Sequence, residues 1–256
     1  MKALAACLCA LVLALTGCSS GSVDSPPAGA TMVTVVGAIH GQHRRSEAYS
    51  LDLLRRAIVK FDPDILLVEL PPDRFATAST NFDEYGEVRE SRADDFPELT
   101  DVVFPLRKQL GFKMIPVAAW TAEIAAARRA TEKRLSQDPA RARDWADYQA
   151  TTKAYGRAVA GRSDDPQFIH SKAYDAAVSG RQETYERLFG DDLGAGGWRA
   201  INEAHLAHIN AALDAVSGQE KRVLILFGAW HKYKILETLE ARPDVFLVNP
   251  APLFDQ

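Results

Sequence analysis

Beyond residue 30, apolar positions along the chain follow two rhythms. Five short β-branched or leucine-rich runs stand at 32–37 (MVTVVG), 64–70 (DILLVEL), 113–119 (KMIPVAA), 222–228 (RVLILFG) and 245–248 (VFLV). Short apolar runs of this kind, bounded by turn residues, predict buried strands. Between them the spacing changes to that of a helix. Over 46–61, Leu51, Leu54, Ile58 and Phe61 share one side with charges opposite, and Pro63 closes the segment. Pro71 and Pro72 stop the second strand; a polar stretch follows, and 99–110 again reads as a helix. Pro116 marks the third strand as an edge or an irregularity, because proline cannot donate to a ladder. A helix to about Ala241 follows the fourth strand. Strands alternating with helices predict an α/β fold with a mainly parallel central sheet flanked by helices.

Residues 121–217 break this alternation. They are rich in Ala, Arg, Asp and Glu, keep helical periodicity, and are interrupted at Pro139, Gly156, Gly161, Pro166, Gly190 and 194–197. Four or five helices inserted as a cap on the α/β frame are expected there. No internal repeat of 20–50 residues is visible, so residues 31–256 read as one domain. Their arginines (Arg128, Arg129, Arg134, Arg141, Arg143) are balanced by acids and read as solvated helix faces.

Composition narrows the class. The chain has 256 residues, 47% hydrophobic and 25% charged, with a formal net charge of −4. That balance excludes a disordered chain and gives no basic surface for nucleic acid. Three cysteines, Cys7, Cys9 and Cys18, all lie near the N-terminus. Residues 3–15 form an apolar stretch after Met1-Lys2, shorter than the ~20 residues that span a bilayer but suited to a signal-peptide core. It ends in Leu15-Thr16-Gly17-Cys18, which resembles the lipobox of bacterial lipoproteins. The resemblance implies cleavage of residues 1–17 and acylation of Cys18, with 18–30 (CSSGSVDSPPAGA) as lipidated cysteine and flexible tether. Ser19 after the cysteine implies the outer membrane, facing the periplasm, in a cell that has one. No thiol then remains for a disulfide, a thiolate nucleophile or a zinc–cysteine cluster.

The chemistry collects at strand ends. His40 follows the first apolar run, Glu69 ends the second and His231 follows the fourth. In open parallel sheets ligands bind outside the carboxyl ends of the strands. A carboxylate in an apolar strand must be paired, protonated or metal-bound. Gly37 and Gly228 each stand three residues before a histidine, where the backbone turns and approaches other groups closely. Helical projection of 198–216 puts Trp198, Ile201, Ile209, Ala212, Leu213 and Val216 on one arc, with Asn202 and His205 at its centre and His208 at its edge. Asn202 and His205 are therefore expected to point into the same cleft, His205 in a catalytic role. His43, beside Arg44-Arg45, falls on a loop expected to face substrate, and His170 is expected at the surface.

GAIH at 37–40, VELPPDRF at 68–75 and GAWH at 228–231 resemble the TraB, PrgY, GumN and Tiki group with its ChaN-like and erythromycin-esterase-like relatives. The family signature, a pair of Gly-x-x-His motifs and a Glu after the second strand often followed by Arg, maps onto His40, Glu69, Arg74 and His231. The resemblance covers most of 32–248, least in the middle helices. Tiki-type members are metal-dependent proteases, ChaN-like lipoproteins bind haem, and the esterase relatives use a histidine base without metal. The resemblance thus implies a metal-dependent hydrolase of a peptide or other amide or ester. His40 and His231 would bind Mn, Zn or Co, Glu69 would be third ligand or general base, and Arg74 would hold a substrate carboxylate or steady an oxyanion. Trp230 and Lys232 flank the second histidine where small residues are common in the family, with Trp230 expected against substrate. The alternatives are a haem or iron-binding lipoprotein, with Tyr49 or His43 as axial ligand, and a metal-free esterase-like hydrolase.

Overall fold

The computed structural model describes residues 26–255; Cys18 and the signal segment lie outside the described residues. In chain order the elements are β1 (Thr31–Ala38), α1 (Leu51–Phe61), β2 (Ile65–Val68), α2 (Pro72–Tyr85), α3 (Phe104–Leu110), β3 (Lys113–Pro116), α4 (Ala122–Gln137), α5 (Ala142–Val159), α6 (Pro166–Ile169), α7 (Lys172–Leu193), α8 (Trp198–Asp214), β4 (Arg222–Gly228), α9 (Lys232–Leu239) and β5 (Val245–Val248). The five strands form one sheet in the order β3-β2-β4-β1-β5, and every pairing is parallel. Pro116 lies on the outer strand β3, in register with Val68, the edge position that proline tolerates. The fold is the α/β architecture expected from the alternation.

Both faces of the sheet are covered, so its strands are largely apolar, while the period of two still sorts their side chains. Val36, Leu66, Val68, Leu224 and Leu226 pack on one face with Leu54 and Ile58 of α1. Val33, Val35, Ile65, Leu67, Val223 and Ile225 pack on the other with Ile209 and Leu213 of α8 and Ile235 and Leu239 of α9. The neighbouring strands β1 and β4 therefore send their next major helices, α1 and α9, to opposite faces. That divergence opens the crevice at their carboxyl ends.

Three local differences from the sequence reading have physical causes. Helix α1 begins at Leu51 because the Ser50 hydroxyl accepts from the Leu53 N–H at 3.2 Å and caps it. The polar stretch after β2 contains a helix, α2: Pro71 is its N-cap and Pro72 sits in its first turn, where no N–H is needed. The 99–110 segment is two pieces, a π-helix over Glu98–Val103 running into α3. The cap consists of α4 to α8, one of them the single turn α6. Its Leu135, Val159, Tyr174, Val178, Tyr185 and Phe189 join the core on the α1 face. Among the described residues, no helix is long and apolar enough to cross a membrane.

Candidate active site at the carboxyl edge of the sheet

The chain leaves β1 through Ile39 and places His40 at φ 49°, a left-handed conformation that is costly for a side chain with a Cβ. The imidazole is held there from both ends. Its Nδ1 donates to Glu98 Oε1 at 2.7 Å, its Nε2 stands 3.7 Å from Glu69 Oε2, and Phe96 packs edge-on at 4.8 Å. The side chain remains 37% exposed, so a ligand can reach it. Burial disfavours the charged ring, but the hydrogen bond to Glu98 and the charges of Glu69 and Glu98 outweigh burial and the opposing Arg92, and the pKa rises to about 9.

Glu69 emerges buried from β2 and accepts from the Gly228 N–H at 2.6 Å. Burial raises its pKa against the lowering influence of His40 and of that hydrogen bond. Gly228 has to be glycine: a Cβ there would lie 2.6 Å from His40 Nε2 and 3.0 Å from Glu69 Oε2. The first Gly-x-x-His and the Glu after β2 are thus brought together across the last residue of β4.

Glu98 was not legible in the sequence. It is buried at the start of the π-helix, and its Oε2 has no hydrogen-bond partner. An irregular helical turn of this type commonly accompanies a functional side chain. Nothing local to Glu98 announces its role, because the histidine it holds is 58 residues away in sequence.

The second histidine belongs to a separate polar group. His231, at the N-cap of α9, donates from Nδ1 to Asn202 Oδ1 at 2.8 Å. Asn202 is fixed in that orientation because its Nδ2 donates to the Trp198 carbonyl at 2.6 Å. This assigns the His231 tautomer and leaves the Nε2 lone pair free for a proton or a ligand. Trp198 stacks on the ring at 4.6 Å, and His205 packs edge-on at 5.1 Å. Burial, with the neighbouring His205, His40 and Arg128, holds the His231 pKa well below its ordinary value. His205 accepts from the Ala119 N–H at Nδ1, at 2.8 Å, so its Nε2 carries the hydrogen; that atom is buried without a partner. Burial and then the charge of His208 push its pKa down to about 3. Helix α8 therefore brings Asn202 and His205 against His231, but both are buried and neither lines the cavity, so Asn202 orients His231 instead of meeting substrate and His205 has no open nitrogen for a catalytic role.

His40, Gly228 and His231 line one cavity of about 460 Å³, walled by Tyr155, Tyr174 and Trp230. Trp230 forms the rim: its Nε1 donates to the Tyr155 hydroxyl at 2.9 Å and the Arg181 guanidinium lies over the ring at 4.6 Å. This ties the cap to the end of β4. Lys232, the other bulky neighbour of the motif, points elsewhere; it is buried and pairs with both oxygens of Asp175 at 2.6 Å.

Four expected positions turn out otherwise. His43 does not face the cleft: it is buried, Nδ1 donates to the Tyr49 carbonyl at 2.8 Å, and Nε2 accepts from the Ile39 N–H at 3.0 Å. Both ring nitrogens are spent on folding the loop. Tyr49 is fully buried and donates to the Gly37 carbonyl at 3.0 Å, so neither candidate axial ligand is open to haem. His170 is half-buried, not superficial; Nδ1 donates to the Pro166 carbonyl at 2.7 Å and Nε2 accepts from the Gly37 N–H at 3.0 Å. Arg74 does not line the histidine cleft and is not placed to steady an oxyanion there; it stands 3.6 Å from the buried Glu90 in a neighbouring cavity.

For a divalent ion, the His40 Nε2 to Glu69 Oε2 separation of 3.7 Å is close to the ~3.4 Å expected of two ligands with bonds of about 2.0–2.1 Å at a tetrahedral angle. The third expected ligand does not join them. Among the described residues no group of three or more His, Cys, Asp and Glu side chains is placed to share one ion. Two of the three donors fit.

Fold and site together define a doubly covered parallel α/β protein with a two-histidine, two-carboxylate cleft under a helical cap. Comparison with protein-family models, curated proteins and solved structures finds no match.

Proposed function

We propose that this chain is a lipid-anchored cell-envelope hydrolase of amide or ester bonds, related to the TraB/GumN/Tiki group, and that it works by proton transfer at His231 with the charged His40 steadying the oxyanion. One observation carries the reading. The same cavity holds an imidazole clamped between two carboxylates, which favour its charged form, and a second imidazole whose hydrogen-bonded Nδ1 leaves Nε2 free as a base. Paired titratable groups pushed in opposite directions mark acid and base roles.

In this reading His231 Nε2 removes a proton from the attacking water, and Asn202 keeps its ring in the productive tautomer. The oxygen of that water attacks the carbonyl carbon, and the carbonyl electrons move to oxygen. His40 Nε2–H donates to that oxygen and steadies its negative charge. The proton held by His231 then passes to the leaving alcohol or amine as the bond to carbon breaks. Glu69 and Glu98 hold His40 in place and in charge, and Trp230 bounds the acyl pocket.

A second reading is favoured by the spacing of His40 Nε2 and Glu69 Oε2. These two atoms would hold a divalent ion, whose chemistry there is to polarise the carbonyl.

The test is hydrolysis of a panel of small chromogenic esters and amides by the purified chain, with and without chelator. The acid–base reading predicts turnover that survives the chelator, with His231→Ala lowering kcat by about 10²–10⁴-fold. Turnover abolished by chelator and restored by Mn²⁺ or Zn²⁺ moves the second reading ahead. No turnover of any member, or turnover indifferent to His231, overturns the proposal.

A further inference from the structure

A second cavity, of about 260 Å³, lies beside the cleft. Pro71, which follows β2, and Trp120 and Thr121, which follow β3, line it. Because the sheet order is β3-β2-β4-β1, this cavity and the histidine cleft are adjacent bays on one sheet edge. Its volume falls below the roughly 300–1,000 Å³ of pockets that enclose a whole small ligand, and suits a single group of one.

Its lining is cationic in a chain of net charge −4. Arg74, Arg92 and Arg129 contribute three guanidinium groups; Asp95 pairs with Arg92 at 3.3 Å, and Asp73 and Glu90 stand 3.5 and 3.6 Å from Arg74, which leaves Arg129 as the uncompensated cation of the three. Arg129 makes no ion pair among the described residues. The arrangement is built, since the buried Glu90 organises it from behind. Glu90 Oε2 accepts from the N–H groups of Arg92 and Ala93, both at 2.9 Å, and Oε1 faces Arg74 at 3.6 Å. Helix α4, sixteen residues long, opens onto the same cavity through Thr121, Ala122 and Ala125, which adds a favourable dipole end for an anion. Phe96 links the two groups: the Arg92 guanidinium lies over its ring at 4.9 Å, and the ring packs on His40 at 4.8 Å.

We infer that the substrate carries an anionic group, a carboxylate or a phosphate, which docks on Arg74, Arg92 and Arg129 while its scissile bond lies between His40 and His231. The inference rests on the hydrolase reading for its scissile bond, but the anion site stands on its own geometry. Guanidinium forks match both oxyanions, and binding energy gathered at a remote group orients the reacting one.

The experiment uses the full chain in detergent, titrated by calorimetry with inorganic phosphate and with succinate. Arg92→Gln and Arg129→Gln should each weaken binding about tenfold or more, and Arg157→Gln, on an exposed cap position, should leave it unchanged. Melting curves of the variants verify folding. Phosphate binding alone assigns a phosphorylated substrate; binding of succinate assigns a carboxylate. In parallel, Arg129→Gln should raise KM about tenfold for an ester bearing a terminal carboxylate and leave the neutral ester unaffected. Hydrolysis of neutral esters with no anion bound, or binding that is equal in Arg129→Gln and Arg157→Gln, overturns the inference and leaves the hydrolase standing. Anion binding governed by Arg129 without turnover of any ester sustains the anion site and removes the hydrolase.

Discussion

The two glycines ahead of the histidines do different work, and alanine separates them. At Gly37 a new Cβ would meet Ala229 Cβ at 3.0 Å, Ala229 Cα at 3.1 Å and Ile169 Cγ2 at 3.2 Å. Backbone stands on one side, so relief requires moving the β4–α9 connection. Gly37→Ala should therefore destabilise the chain by about 1–3 kcal/mol, as overpacking does, read as a lower urea midpoint. At Gly228 the contacts are the His40 and Glu69 side chains, so Gly228→Ala should cost less stability but displace His40 from Glu69 and abolish turnover. Equal urea midpoints with turnover retained would show that the close approach is slack. The Gly-x-x-His spacing and Glu69 are legible along the chain because each motif is contiguous. Glu98 and the hydrogen-bonded fates of His43, Tyr49 and His170 are not, because each depends on which loop folds back to meet it.

Among the elements, the one-turn helix α6 shows how a short segment is fixed by a half-buried ring. Strand β5 pairs with β1 only as far as Thr34; beyond it the Gly37 N–H donates instead to His170 Nε2. His170 also stacks on Phe254 at 4.8 Å. Its role as an acceptor requires the neutral ring, and burial followed by the charge of Lys232 lowers its pKa to about 3. The unfolded chain takes up this proton near pH 6.5 while the native chain does not, so the unfolded state binds more protons between about pH 3 and 6.5. Stability is then complete above pH 6.5 and falls as the pH drops through that window. Urea midpoints measured from pH 7.5 to 5 should decline in the parent and decline less in His170→Gln; identical slopes would contradict the assignment. Helix α2 went unread for an equally physical reason. Only Ala78 and Phe82 of its side chains are buried, so it lacks the apolar stripe that announces a helix, and its opening prolines read as a breaker when they are in fact its cap.

At the scale of the molecule, all five strands and the helical insertion were legible because both faces of the sheet are buried and the cap is built mostly from helices of 16 to 22 residues. Strand order was not, since it depends on crossovers that no local pattern records; yet it is this order that sets β1 beside β4 and the two histidines in one cavity. The proposed lipid anchor belongs to the same scale. Cys18 lies outside the described residues, and Cys18→Ala should abolish incorporation of a labelled fatty acid and leave the precursor uncleaved; label persisting in the variant would contradict the anchor. The central claim, that His40 and His231 act as one catalytic unit, is tested most directly by a double-variant cycle on kcat with His40→Ala, His231→Ala and the pair. Residues that act as a unit are strongly non-additive. Each single variant should lose about 10²–10⁴-fold, and the double should lose no more than about tenfold beyond the worse single. Losses that multiply would show two independent histidines and contradict the account.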